Sequence, residues 1–141
     1  VPQIAVFDTA FHATMPPASY LYALPLHLYK DLGVRRYGMH GTSCANVLAQ
    51  LQLALPSSVW ASRGRTAPNA IICHLGAGAS VTCVREGKCV DTSMGMTPNE
   101  GLMMSTRCGD VDAGAVAYVA AQCGLSPADL DRLLNRESGL R

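Results

Sequence analysis

A single strong cation stands among small and acidic residues in the segment STRCGDVD, residues 105–112. Arg107 is followed by Asp110 and Asp112, and the apolar stretch GLMM precedes the segment. A planar guanidinium with several N–H donors suits a multiply charged anion, such as a phosphoryl group. The alternative is structural, because an ion pair of Arg107 with Asp110 or Asp112 would stabilise the loop. The spacing alone leaves both interpretations open.

A second candidate site is the glycine-rich segment HLGAGAS, residues 74–80. A predicted buried strand ends here, and Gly76 and Gly78 would let backbone N–H groups approach a ligand closely, which suits phosphate. The segment is not a P-loop, since no Gly-Lys-Ser or Gly-Lys-Thr follows, and it lacks the full dinucleotide pattern. A plain tight hairpin is the simpler interpretation, in which His74 is a hydrogen-bonded core residue.

The segment YGMHGTS places His40 beside Gly41 where a helix is predicted to begin. A helix N-terminus attracts anions through its dipole and its free N–H groups, although His40 can also be an ordinary residue of the cap region. His40 and Cys44 have the spacing of half a zinc site, but no second pair of ligands accompanies them. No local protease signature marks Cys44 as a nucleophile. Asp8, after the apolar stretch IAVF, is either a capping acid or a catalytic carboxylate.

The elements that must position these residues alternate between strands and helices, which favours an α/β fold. Strands are predicted over residues 4–8, 70–74, 79–85 and 88–91, with the last two joined as a hairpin at Glu86 and Gly87. Helices are predicted over residues 25–31, from Thr42 or Ser43 to Leu55, over 111–122, and from 127 to 136. Gly33 and Gly124 are the predicted helix stops, and residues 57–69 are predicted to form a polar surface link.

Composition limits the class of protein. The chain has 141 residues, of which 49 % are apolar and 15 % charged, as in a globular domain with a sizeable core. A net charge of +1 without a basic run argues against nucleic acid as a partner. The longest small apolar run, residues 113–121, is too short to cross a membrane, and no secretory signal is visible.

The six cysteines lack any Cys-x-x-Cys spacing. Their scatter through apolar segments predicts reduced core residues of a cytosolic protein rather than a disulfide framework. The chain begins within an apolar run without methionine and stops directly after a predicted helix. We therefore expect it to be a fragment of a longer protein.

Taken in order, four segments resemble the acetate kinase family: FDTAFHATMP, RRYGMHGTS, HLGAGAS and GKCVDTSMGMTPNEGLMMSTRCGDVD. The resemblance continues to the final LNRESGL. It implies part of a ribonuclease-H-like, actin-like ATPase fold. Residues 1–35 would end the first domain and form the interdomain segment, and residues 36–141 would begin an incomplete nucleotide-binding domain. It also implies ATP-dependent, magnesium-requiring phosphorylation of acetate or a similar short-chain acid by a cytoplasmic protein that is homodimeric at full length.

The resemblance further implies a role for each matching residue. Asp8 would help to orient the acyl substrate, His40 would donate to the transferring phosphoryl oxygens, and Arg107 would stabilise the phosphoryl group in transit. Met39 and Pro98 would line the pocket for the alkyl group of the acid. The magnesium ligands would lie outside this chain. The phosphate loop for the nucleotide would consist of His74, Leu75, Gly76, Ala77 and Gly78.

Four positions depart from the family pattern. Ala77 replaces an asparagine, Met39 an aromatic residue, Cys44 a histidine and Ser105 a glycine. Ala77 and Cys44 favour the alternative of a non-catalytic nucleotide-binding fragment or pseudo-enzyme. Met39 leaves open a kinase that prefers propionate, because a flexible side chain would form part of the pocket wall.

Overall fold

A three-stranded antiparallel sheet organises the computed structural model, which describes residues 1–140. Its strands are β1 (Ala70–Leu75), β2 (Ala79–Arg85) and β3 (Lys88–Thr92), in the order β1-β2-β3. Leu75 pairs with Ala79, so Gly76 to Gly78 form a three-residue hairpin loop. Glu86 and Gly87 both have positive φ, 49° and 75°, as a two-residue hairpin turn requires. The predicted strands in this region and their turn are confirmed.

Helices accompany the sheet, and the helix over Gly41–Ala54 and a 3-10 helix pack against it, which makes the fold mixed α/β as predicted. Gly33 and Gly124 adopt left-handed conformations at the ends of two of them, and this confirms both predicted stops. Ser126 caps the last helix by accepting a hydrogen bond from the N–H of Asp129 at 3.2 Å. The helices are α1 (Pro17–Tyr20), α2 (Leu26–Leu32), α3 (Gly41–Ala54), α4 (Ser58–Ala61), α5 (Ala113–Cys123) and α6 (Pro127–Arg136), with a 3-10 helix at Ala10–Thr14.

Two predicted elements are wrong. Residues 4–8 do not form a strand, and Ile4 and Val6 are 86 % and 75 % exposed. A strand needs a neighbour for its backbone N–H and C=O groups, and no strand within residues 1–140 pairs with this segment. Residues 57–69 are more than a polar link, because they contain α4, whose Trp60 is buried. Burial of this large side chain removes apolar area from water and so helps to stabilise the segment.

The core contains two apolar clusters. In the first, Cys44 and Leu48 of α3 pack against Ile72 and Val84 of the sheet. In the second, Ala79 packs against Met94 and Met104, with Met39 and Leu102 at its margin. The first cluster fixes α3 on the sheet. The second lies beneath the segments that contain the predicted site residues.

No helix within the described part of the chain is long and apolar enough to cross a membrane. All six cysteines have free thiols. Cys44 and Cys89 are buried, whereas Cys73 and Cys123 are exposed. The prediction that the cysteines are core residues therefore holds for only some of them.

We expect the 141-residue chain, expressed alone, to self-associate. Val6, Phe7, Ile71 and Leu75 are exposed, and within residues 1–140 the outer edge of β1 has no pairing strand. Size-exclusion chromatography with light scattering should detect species larger than a monomer. A Val6→Ser/Phe7→Ser double variant should self-associate less. A monodisperse wild-type monomer that melts sharply would contradict this expectation.

Candidate active site

The N-terminus of α3 is capped by a residue from a distant part of the chain. Asp8 Oδ2 accepts the N–H of His40 at 2.6 Å, and its Oδ1 lies 3.4 Å from the N–H of Thr42. The carbonyl oxygen of Asp8 accepts the N–H of Gly41 at 2.8 Å, so closely that a Cβ at Gly41 would overlap it. The predicted cap at Thr42 or Ser43 is therefore wrong. The anion at this helix N-terminus, where the sequence predicts an anion site, is the carboxylate of Asp8 itself.

This capping arrangement fixes the backbone of His40, which adopts the left-handed conformation with φ 61°. A non-glycine residue is rare in this region and needs support from its surroundings. The preceding peptide is held by His12, whose Nε2 donates to the carbonyl of Met39 at 2.8 Å. Asp8 and His12 thus hold the backbone before and after His40 by hydrogen bonds.

His12 is 1 % exposed and contributes a defined tautomer. A carbonyl oxygen only accepts, so the ring proton lies on Nε2, and Nδ1 accepts from the thiol of Cys89 at 3.2 Å. Burial lowers the pKa of His12 and favours its neutral form. His12 was not among the predicted site residues. The one sequence feature that could have identified His12 is its place in the FDTAFH segment, which resembles the family.

The rings of His40 and His74, two of the predicted site residues, lie against each other. Their rings stack with centroids 3.9 Å apart and an interplanar angle of 19°. Nδ1 of His40 is 2.9 Å from Ser80 Oγ, and Nδ1 of His74 is 2.9 Å from Ser43 Oγ. Burial, and next the proximity of His74, lower the pKa of His40, although Asp8 opposes the shift. Neither Ser80 nor Ser43 is among the site residues predicted from the sequence.

Arg107 meets this histidine pair at the hairpin loop. A Cβ placed on Gly78 would lie 3.2 Å from Nη1 of Arg107 and 3.5 Å from Nε2 of His40. Nη1 also donates to the carbonyl of Pro98 at 2.8 Å. Three predicted residues, Arg107, His40 and Gly78, therefore converge, and Pro98 lies beside them.

Arg107 forms no ion pair with Asp110 or Asp112, the partners that the structural alternative requires. The ion pairs among residues 1–140 do not include Arg107. Asp110 instead accepts the N–H of Gly101 at 2.8 Å, and Asp112 caps α5 by accepting the N–H of Gly114 at 2.6 Å. The two acids stabilise the surrounding backbone and leave the guanidinium charge uncompensated by a described carboxylate.

The segment around Arg107 is held by the end of the described chain. Thr106 Oγ1 donates to the carbonyl of Asn135 at 2.9 Å, and the N–H of Cys108 donates to Leu134 at 3.0 Å. The N–H of Ser138 returns a bond to the carbonyl of Thr106 at 3.2 Å. The LNRESGL segment therefore supports the backbone on both sides of Arg107.

A half-buried ion pair holds the loop that contains Pro98. Arg36 contacts Glu100 at 2.7 Å and also donates to the carbonyl of Thr92 at 2.7 Å. The hydroxyl of Tyr22 donates to the second carboxylate oxygen of Glu100. Burial, together with this hydrogen bond, raises the pKa of Tyr22 to about 12, so the phenol stays protonated. These contacts hold the loop whose Pro98 carbonyl accepts the hydrogen bond of Arg107.

Two departures from the family pattern touch each other. Ser105 Oγ donates to the carbonyl of Ala77 at 3.2 Å, while Gly76 N–H donates to Gly78 across the loop at 3.0 Å. The hydroxyl of Ser105 thus contacts the glycine loop at the position where an asparagine is usual. A cleft of about 470 Å³ opens beside this loop. It is lined mainly by apolar residues, including Leu75, Ala79, Leu102, Met104 and Leu140.

Cys44 has a structural role. Its thiol lies 3.6 Å from Thr82 Oγ1, and burial raises its pKa, which disfavours the thiolate that a nucleophile or a metal ligand needs. Within residues 1–140, no group of three or more His, Cys, Asp or Glu side chains is placed to hold a metal ion.

Solved structures define the class of fold. The chain superposes on the crystal structure of Porphyromonas gingivalis acetate kinase with a TM-score of 0.84 and 45 % identity, covering 95 % of this chain and 32 % of that one. A propionate kinase from Francisella tularensis gives a TM-score of 0.82 and 42 % identity, covering 96 % and 33 %. The chain therefore has part of the fold of acetate and propionate kinases, and the expected partial actin-like ATPase fold is confirmed.

The Acetokinase family model matches residues 1–141, and the chain belongs to this family. It is 54 % identical over 140 residues to a propionate kinase of Enterobacter sp. (strain 638), covering 99 % of this chain and 33 % of that protein. It is 51 % identical over 143 residues to an acetate kinase of Bacteroides fragilis, covering 99 % and 34 %. The chain thus spans about a third of the length of these relatives.

We expect His12 to make the full-length protein less stable in acid. Because burial lowers the pKa of His12, the unfolded state binds its proton more readily than the folded state does. Stability should therefore fall as the pH drops from about 6.5, the ordinary value, towards the lowered folded-state value. Thermal denaturation at a series of pH values measures this loss.

The matched variants are His12→Gln, which can keep a donor near Met39, and His27→Gln at an exposed histidine. His12→Gln should show a smaller loss of Tm between pH 7.5 and 5.5, whereas His27→Gln should behave as the wild type. An unchanged pH dependence in His12→Gln would refute the assignment.

Proposed function

We propose that this chain is part of a kinase that transfers the γ-phosphoryl group of ATP to the carboxylate of a short-chain acid, giving an acyl phosphate and ADP. The convergence of Arg107 Nη1 and His40 Nε2 on Gly78 is the observation that supports it best. The relatives named acetate kinase and propionate kinase support the same class of reaction. Acetate and propionate are both candidate acids, and kcat/KM for each would decide between them.

Phosphoryl transfer depends mainly on positioning and on cations placed at the oxygens of the moving group. In our proposal Arg107 supplies that cation, since no described carboxylate pairs with it, and its planar donors suit the phosphoryl oxygens. His40 supplies an N–H donor beside it. Asp8 holds His40 in place through the α3 cap, and its direct contact with the acyl substrate stays a prediction.

The remaining site residues have supporting roles in this proposal. His74, Leu75, Gly76, Ala77 and Gly78 would form the phosphate loop for ATP. Met39, which packs at the margin of the methionine cluster, and Pro98 would line the alkyl pocket. Phosphoryl transfer from ATP calls for Mg²⁺, but the described residues contain no cluster that fits it. We therefore assign its ligands to the rest of the protein.

The same proposal covers the organisation of the whole protein. Residues 1–35 would belong to the end of the first domain and the interdomain segment, and residues 36–141 to the start of the nucleotide-binding domain. The full-length protein would be a cytoplasmic homodimer. This chain covers about a third of each relative, which supports the view that other segments of the protein build most of the site for ATP and the acid.

We expect the isolated 141 residues to bind ATP weakly and to form no acyl phosphate. The described residues provide the arginine and the histidine pair but no magnesium site. Hydroxamate trapping of acyl phosphate tests this directly, with a full-length relative as the positive control. Turnover by the isolated chain at the rate of that control would contradict the expectation.

In an active full-length protein, we expect Arg107→Ala to lower kcat by roughly three to five orders of magnitude, the range for arginines that contact a transferring phosphoryl group. KM for ATP should change little, because the contact strengthens as charge develops in the transition state. Arg107→Lys should restore only part of the rate, since an ammonium lacks the planar pair of donors.

Arg132→Ala is the matched control, because Arg132 is an exposed arginine with ion pairs to Asp129 and Glu137. It should keep its kcat. If Arg107→Ala lowered Tm and left kcat intact, Arg107 would be a structural residue and the catalytic assignment would fail.

A further inference from the structure

The two stacked imidazoles have the same orientation relative to the glycine loop. Each Nδ1 meets a serine hydroxyl at 2.9 Å, Ser80 for His40 and Ser43 for His74. Each Nε2 lies near the loop: a Cβ on Gly78 would be 3.5 Å from Nε2 of His40, and one on Gly76 would be 3.9 Å from Nε2 of His74. The serines thus contact one side of the pair, and the loop lies at the other.

We propose that Ser80 and Ser43 are positioning residues that donate to Nδ1 of His40 and His74, and so hold both imidazoles as neutral Nε2–H tautomers facing the loop. This inference rests on the proposed function, which it deepens by naming the donors that an anion at the loop would meet. Neither serine needs to touch the substrate.

The hydrogen bonds of Ser80 fix the direction of donation. Ser80 is 0 % exposed, and His40 Nδ1 is the one partner of its hydroxyl among residues 1–140. If Nδ1 carried the proton and donated to Ser80 Oγ, the hydroxyl hydrogen would be buried without an acceptor, at a cost in stability. The hydroxyl therefore donates, Nδ1 accepts, and the ring proton lies on Nε2.

Charge favours the same neutral form. Two imidazolium rings stacked at 3.9 Å would repel each other, and Arg107 beside them adds a third positive charge. Asp8 favours the charged form of His40, but burial and the proximity of His74 outweigh it and lower the pKa of His40. His12, on the other side, contributes no charge when neutral. Neutral Nε2–H groups supply donors to an anion without this repulsion. The Nδ1–H tautomer would instead direct a lone pair at the anion.

Ring ¹⁵N NMR of the full-length protein, labelled at histidine, tests the tautomers directly because protonated and bare ring nitrogens have distinct shifts. We expect His40 and His74 to carry the proton on Nε2 at pH 7.5. Ser80→Ala should convert His40 to a mixture of tautomers, and Ser43→Ala should do the same to His74. Kinetics on the same proteins should show kcat for Ser80→Ala falling about tenfold or more, with KM for ATP little changed.

Ser43→Ala keeps the test decisive if the buried Ser80→Ala variant folds poorly, because Ser43 lies on α3, where alanine is favourable. Exposed Ser62→Ala is the control and should alter neither the tautomers nor kcat. A wild-type His40 with its proton on Nδ1 would overturn the proposal, as would Ser80→Ala and Ser43→Ala with unchanged tautomers. The NMR result decides the tautomers even if the wild-type protein makes no acyl phosphate, so the two proposals can fail separately.

Discussion

The capping of α3 by Asp8 is the interaction on which the site depends. Its carboxylate and carbonyl oxygens accept the first N–H groups of the helix, and the helix in turn packs on the sheet through Cys44 and Leu48. The cap holds His40 in a left-handed conformation at the start of the helix, beside the sheet. From this position the ring of His40 stacks on His74 of β1 and contacts Ser80 of β2.

The site is assembled from segments that are far apart in the chain, and each is anchored by strand pairing, an ion pair or hydrogen bonds. The hairpin loop is fixed by the register of β1 and β2. The Pro98 loop is fixed by Arg36 and Glu100, and the Arg107 segment by the residues after α6. Such anchoring holds Arg107, His40 and His74 in place before any ligand arrives, which is the preorganisation that the proposed phosphoryl transfer would require.

Local signals in the sequence predicted the hairpins and the helix ends, because the Glu86-Gly87 turn and the left-handed Gly33 and Gly124 depend on neighbouring residues alone. The failures involve distant partners. A strand over residues 4–8 requires a pairing strand, and the cap of α3 is supplied across more than 30 residues by Asp8. The family resemblance singled out Arg107, His40 and Gly78, which the fold brings together. It did not identify the serines, whose roles depend on which ring nitrogen they face.

The contact of Ser105 with the carbonyl of Ala77 joins two parts of the site that a glycine at 105 would leave separate. The glycine loop and the Arg107 segment are thereby linked by a side chain, in addition to the packing beneath them. Opening of the loop would have to break this bond or draw the arginine segment with it. A displacement of the glycine loop that keeps this bond would therefore move the Arg107 segment as well.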